Sequence, residues 1–399
     1  MLNELPLIFV LIGIAAYTVL AGADFGAGIW TLVSRRDDQR LRDEARHAMG
    51  PVWEANHVWL IFVIVVAWTA YPTALASITS TLAIPLFIAV VGIILRGTAY
   101  ALRAQQESGA VATRIERVFG ISSILTPFAL GATVGAVASG RVPVGNARGD
   151  LVTSWLNATG ITIGVLGVAT SWYLASVYLA ADAQRGGDPD FVAAFRVRAL
   201  GTGVLAGALA VAGLIVVHSD APRLWDGLTS GLGLVAIAVS ALSGITTLVL
   251  VRAGRYEPAR AAAALAVAAV VAGWAIAQSP DLLPGLTVQQ AAAGHATMVA
   301  VLIAVAGGTI ILAPSLGLLF RLTLAGRFDH GTPAGASAPE ADESAAPALR
   351  VALTAGLLVA GAILTVMLDS TLGLGLGVLL LIAFIVVGFR PLALPPDTD

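Results

Sequence analysis

The sequence predicts an all-α, polytopic membrane protein, and three observations carry that prediction. Hydrophobic residues make up 58% of the 399 and charged residues only 12%, against about 25% charged in a soluble domain. The apolar runs are continuous over spanning length and do not alternate, so helices, not barrel strands, satisfy the backbone in lipid. Arginines gather in every second loop between those runs, the signature of a chain threaded repeatedly through a bilayer.

Taken in order, apolar segments of spanning length lie at about 5–33, 51–70, 80–102, 117–139, 159–181, 199–217, 227–251, 259–278, 293–322, 349–368 and 372–389. The opening apolar run of the first leads into Ala21-Gly22-Ala23, which resembles a signal cleavage site. Its flank carries Glu4 and no Lys or Arg, whereas a signal peptide needs a positive n-region, so it reads as a retained span. The second opens at Gly50-Pro51, a helix-entry pair, because proline at the first helical position needs no donor partner. The last two are separated only by Asp369, Ser370 and Thr371. Residues 325–348 are rich in proline, small residues and acids, the composition of a disordered linker. The expected organisation is therefore a transmembrane domain over 1–324, a cytoplasmic linker over 325–348, and a transmembrane appendage with a short tail over 349–399.

Eighteen arginines fall in the loops after spans 1, 3, 5, 7, 9 and 11, and only Arg141, Arg148 and Arg223 in the opposite loops. The positive-inside rule then sets the N-terminus outside and the C-terminus in the cytoplasm. Cysteine is absent and the formal net charge is -2. Disulfides, thiolate metal sites and thiol catalysis are excluded, and the charge gives no reason to expect nucleic acid. Redox chemistry must use a bound cofactor or a partner subunit.

Ionisable groups inside a membrane are costly, so each is a functional candidate. With this topology Asp24 in span 1, Glu54 and His57 at the mouth of span 2, and Arg96 and Tyr100 near the inner end of span 3 share one depth. Glu54 falls in the first helical turn, where the dipole favours a carboxylate, and His57 is its neighbour three residues on. Two carboxylates and an imidazole near a protein interior can pass protons, which predicts a proton entry path from the cytoplasm. The structural alternative is that Glu54 caps its helix and pairs with Arg96, that Arg96 snorkels, that His57 is an interface histidine and that Tyr100 is a belt aromatic. Trp53 and Trp59 flank the acid and either shape a cavity or belong to that belt. Leu20-Ala-Gly-Ala-Asp24 is faintly echoed by Leu179-Ala-Ala-Asp182, as two related four-helix halves would produce. A haem held by two histidines needs them at matching depth on facing helices. His57 lies on the inner side, His218 and His295 (with Met298 nearby) on the outer, and His47 and His330 in loops, so no good pair emerges.

At Gly50-Pro-Val-Trp-Glu-Ala-Asn-His-Val-Trp-Leu-Ile61, with Gly22-Ala-Asp-Phe-Gly-Ala-Gly28 and Leu95-Arg-Gly-Thr-Ala-Tyr100, the chain resembles subunit II of the cytochrome bd family of quinol oxidases over about residues 1–325. The resemblance implies two four-helix bundles plus peripheral helices. It implies a non-catalytic subunit beside a haem-bearing subunit I with two b-type haems, one d-type haem and the quinol site. No haem or metal ligand is expected in this chain, and a structural quinone is left open. It also implies that Asp24 and Glu54 belong to a hydrophilic path towards the oxygen-reducing haems and that Trp59 lines an apolar oxygen route. The chain departs from some relatives at Glu54, Ala55, His57 and near Tyr100, which puts the inner end of the path in question. A rival of another class is a secondary transporter, which usually shows paired broken helices in inverted halves. Pro85, Pro127 and Pro314 interrupt spans, but not at corresponding positions. A third, a haem-binding anchor for a dehydrogenase, needs ligands that the sequence does not place.

Overall fold

Proline at position 72 decides the first departure from a simple row of spans. In the computed structural model, which describes residues 2–33, 50–103, 110–324, 353–354, 356–361, 364, 375–384 and 387, helix α1 (Leu5–Val33) is followed by α2 (Gly50–Ala70) and a separate helix α3 (Pro72–Thr81). The pair is bent by 119°. Pro72 offers no donor and pushes the residue before it out of the helical region, and Tyr71 sits at φ -135, ψ 58. The Ala70 carbonyl accepts a hydrogen bond from the Ala293 amide (2.8 Å), and the Tyr71 hydroxyl donates to the Asn3 carbonyl (2.7 Å). The sequence alone suggests a loop there.

The chain continues through α4 (Ala83–Arg103), α5 (Ala110–Ala138), α6 (Ala158–Arg185), α7 (Pro189–Asp220), the short α8 (Pro222–Leu228), α9 (Gly231–Arg252) and α10 (Tyr256–Gln278). A two-stranded antiparallel ribbon, β1 (Asp281–Leu283) with β2 (Leu286–Thr287), then leads through α11 (Val288–Ala291) into α12 (His295–Leu324). Among the described residues eight helices are long and apolar enough to cross a membrane, or nine if the bent pair counts as one span. Helices α5 and α7 begin earlier than their apolar windows, because Arg114, Glu116 and Arg117, and then Arg196 and Arg198, ride on helical turns at the ends of the spans. Asp188 caps α7 by accepting from the Phe191 amide (3.1 Å), with Pro189 in the first turn. Pro127 and Pro314 lie inside helices that run on through them, and Pro85 lies in the first turn of α4, where no donor is needed.

Two four-helix bundles result. In the first, α1 packs on α2 and α5, and α4 on α5; in the second, α6 packs on α7 and α10, α9 on α10, and α7 on α9. Helices α1 and α6 join them, and α12 lies at the periphery against α2 and α1. Along the join, Ala23, Ala27 and Trp30 of α1 share a core with Leu174, Ala175 and Val177 of α6. Small residues here matter because helices in lipid associate by close packing and not by the hydrophobic effect.

On the face where arginine is scarce, α3, the 139–157 connection, the ribbon and α11 share one apolar core that includes Tyr71, Leu82, Val142, Trp155, Leu283, Leu286 and Val288. The connection is pinned by its own polar groups. Asp150 accepts from the Val152 and Thr153 amides and the Thr153 hydroxyl, which holds its carboxyl below the usual carboxylate range. Asp220, at the end of α7, makes a two-pronged ion pair with Arg141 (2.7 and 2.9 Å) and accepts from the amide and hydroxyl of Thr159 at the start of α6 (3.0 and 2.5 Å). Asp220→Ala strands both Thr159 donors and leaves Arg141 only its bond to Asn157 Oδ1 (3.3 Å). We expect a cost of about 1–3 kcal/mol, seen as a lower melting temperature of the purified protein.

The chain divides by contacts into two compact units, Met1–Ala325 and Gly326–Asp399. In the second, residues 356–361 and Gly375–Phe384 are helical, and a Cβ on Gly361 would come within 2.9 Å of Leu381. The predicted linker over 325–348 lies outside the described residues.

Candidate functional site: a polar pocket among α1, α2 and α4

The segment Gly22-Ala-Asp-Phe-Gly-Ala-Gly28 is built to let other elements come close. A Cβ on Gly26 would lie 1.9 Å from the Ser171 carbonyl oxygen, and one on Gly28 would lie 2.1 Å from Ser123 Oγ and 2.6 Å from an Arg96 nitrogen. These two absences of a side chain seat α1 against α6 and leave room for Arg96 to reach across from α4 to α1 and α5.

Asp24 and Arg96 are 3% and 2% exposed, and a charge so deep in an apolar span survives only with partners. Arg96 donates to the Asp24 carboxylate (2.5 Å), to the Asp24 backbone carbonyl (2.8 Å) and to Ser123 Oγ on α5. Its guanidinium also lies over the rings of Phe119 (4.2 Å) and Phe25 (5.1 Å), a placement that favours a cation. Ser123 in turn donates to the Phe119 carbonyl one turn back (2.6 Å), leaving its oxygen to accept from arginine. The pair thus ties α1, α4 and α5 together.

Next to this pair lies a small cavity, ≈ 10 Å³ measured to the centre of a water-sized sphere, lined by Tyr17, Asp24, Asn56, His57, Ile93 and Arg96 among others. It therefore brings together Asp24, His57 and Arg96 from three spans. Tyr100, four residues beyond Arg96, is 37% exposed and does not line it. Trp59 is partly buried, its ring edge-on to Phe62 at 6.2 Å. Glu54 and Trp53 lie on the helical opening of α2, one turn or less before His57, and their side chains fall outside the described residues. The carboxylate that Arg96 holds among the described residues is Asp24.

Sequence reasoning missed Tyr17 and Ser123, and it saw the Asn56 carboxamide without giving it a role. Asn56 stood inside the motif itself, a carboxamide between an acid and a histidine, and Ser122-Ser123 was a polar pair within an apolar span. Either was a signal that a buried charge lies nearby.

His218 is exposed, its ring edge-on to Trp225 at 4.7 Å, and His295 is exposed at the start of α12. A haem ligated by this chain alone would need an enclosed apolar cleft, which neither offers, so these histidines do not fit it. Among the described residues no group of three or more His, Cys, Asp or Glu gathers as metal ligands would. His47 and His330 lie outside the described residues.

Asp182, the counterpart in the faint internal echo, takes a different environment. It pairs with Arg260 (3.0 Å) and with Arg185 at the end of the second bundle and is about a third exposed. The echo in sequence is matched by an ion pair at each site, but only Asp24 is enclosed.

Comparison with known proteins agrees with this architecture. The solved bd oxidase of Geobacillus thermodenitrificans contains a chain that superposes with a TM-score of 0.69 at 23% identity, covering 81% of this chain and 99% of that one. A Bacillus subtilis (strain 168) protein named as subunit II of a cytochrome bd menaquinol oxidase is 23% identical over 217 residues, 53% of this chain and 61% of that protein. Subunit 2 of a cytochrome bd ubiquinol oxidase from the same organism is 28% identical over 130 residues, 33% of this chain and 38% of that protein. The matched stretches thus span less than two thirds of either relative. The family described as cytochrome bd terminal oxidase subunit II matches residues 2–323, and with eight or nine spanning helices among the described residues, this chain belongs to that family.

Proposed function

We propose that this chain is the non-catalytic subunit II of a quinol:oxygen oxidoreductase. It scaffolds a haem-bearing subunit I, which holds two b-type haems and one d-type haem, and supplies protons for the reduction of dioxygen to water. The observation that carries this reading is the family match over residues 2–323; the enclosed pocket supports the finer part of it. The haems, when bound in the partner, supply the electron transfer and oxygen chemistry. The residues of this chain admit, orient and pass protons.

In this reading the arginine-rich face is cytoplasmic and the N-terminus lies outside a bacterial cell membrane. Glu54, on the opening of α2, is the entry group from the cytoplasm, and His57, Asp24 and Arg96 around the cavity take the proton onward. Arg96 pairs directly with Asp24, and the buried cation discourages other cations from following protons inward. Trp53 and Trp59 belong to an apolar route for oxygen. Residues 325–348 act as a linker, and 349–399 as a membrane-embedded appendage that family membership does not require.

Affinity purification of the tagged chain from mild detergent tests the assignment. A haem-bearing partner with red-region absorption and quinol-driven oxygen consumption is expected. A colourless single protein would overturn it.

A further inference from the structure

We infer that Asn56 is a positioning residue that holds one ordered water between itself and Asp24, beside His57, and that this water is a step of the proton path. The inference rests on the path proposed above and names the group that orients it.

Asn56 is 1% exposed, and its carboxamide faces the Asp24 carboxylate, yet neither its nitrogen nor its oxygen has a protein partner at direct hydrogen-bonding distance and angle. A carboxamide has two donors and two acceptor lone pairs, and burying them unpaired is costly enough that native proteins rarely tolerate it. The residue also lines the ≈ 10 Å³ cavity, which is room for about one water, and a buried water needs two to four polar partners. Those partners are present around the same space: the Asn56 carboxamide, the Asp24 carboxylate and the His57 imidazole. Arg96 engages Asp24 Oδ1, and a carboxylate has about four acceptor sites, so capacity remains on Asp24 for a second donor.

The chemistry of asparagine sets its role. A carboxamide does not titrate at physiological pH, so Asn56 does not carry the proton. It fixes the water's orientation, so that the water accepts a proton on one hydrogen bond and releases another along the next, with no net change. Arg96 lies in the same pocket, and its charge disfavours a resting hydronium. The site therefore passes a proton quickly and does not store one.

The test uses the assembled complex with its haem-bearing partner. Asn56→Leu keeps a similar volume and removes the polar atoms; Asn56→Ser keeps a hydroxyl and leaves room for water. With haem spectra unchanged, Asn56→Leu should slow quinol-driven oxygen consumption about tenfold or more and raise the solvent deuterium isotope effect on turnover, because proton delivery becomes limiting. Asn56→Ser should stay within about threefold of the parent. Parent-like rate and isotope effect in Asn56→Leu overturn the inference. So does equal slowing of both variants with an unchanged isotope effect, which marks a packing role. Glu54→Ala separates the two levels: if it slows turnover while Asn56→Leu does not, the water site falls and the path stands, and if neither changes turnover, the path falls too. A map of the complex that resolves waters should show one bonded to Asn56 and Asp24; a dry, collapsed pocket contradicts it.

Discussion

Arg96→Leu is expected to destabilise the chain by about 3–5 kcal/mol, the usual cost of removing one partner of a buried ion pair. The loss is large because Arg96 serves three elements at once. Asp24 would be left 3% exposed without its cation, Ser123 would lose its donor, and the stacking over Phe119 and Phe25 would vanish. Fluorescence-detected size exclusion of the tagged complex should show a collapse in the yield of assembled protein. The double change Arg96→Leu with Asp24→Asn should recover much of that yield, since replacing both members removes the stranded charge. If the double variant is no better than the single one, the destabilisation comes from lost packing of the arginine and the ion-pair account fails.

Gly26→Val has the other large expected effect, and it acts through shape alone. The added Cβ would sit 1.9 Å from the Ser171 carbonyl oxygen and 2.6 Å from the Ala175 Cβ. The first of these is backbone, which cannot rotate away. Helices α1 and α6 must separate, and with them the two bundles. Little or no folded complex should be recovered, whereas Gly201→Ala, which meets nothing within 4 Å, should melt at or slightly above the parent temperature because alanine favours the helix. Equal yields of Gly26→Val and parent would show that the α1–α6 join is not as close as described.

These two positions also mark how far the sequence could be read. Hydropathy located the spans because each must hide its backbone in lipid, and the sum of that requirement over about 20 residues is a strong signal. The polar trio Asp24, His57 and Arg96 was legible for a related reason: a charge in an apolar run stands out, and the alternation of spans sets its depth. What escaped were features fixed by long-range contact. Helix α3 depends on Pro72 and on Ala293 reaching the Ala70 carbonyl; α8 and the ribbon are short and gain stability only from the shared cores around Leu224 and Leu283. Pairing was equally hidden. The sequence offered Glu54 as a partner for Arg96, and the passage left open by Gly28 shows how the arginine instead reaches Asp24.

The claim on which the mechanism rests is that protons enter from the arginine-rich face through the opening of α2. The direct measurement places the purified complex in one orientation in liposomes, with a pH indicator on each side in turn, during quinol-driven oxygen consumption. Uptake should occur from the compartment that faces the arginine-rich loops, and Glu54→Ala should slow that uptake and oxygen consumption together while haem spectra stay the same. Uptake from the opposite compartment, or an uptake rate indifferent to Glu54, would contradict it.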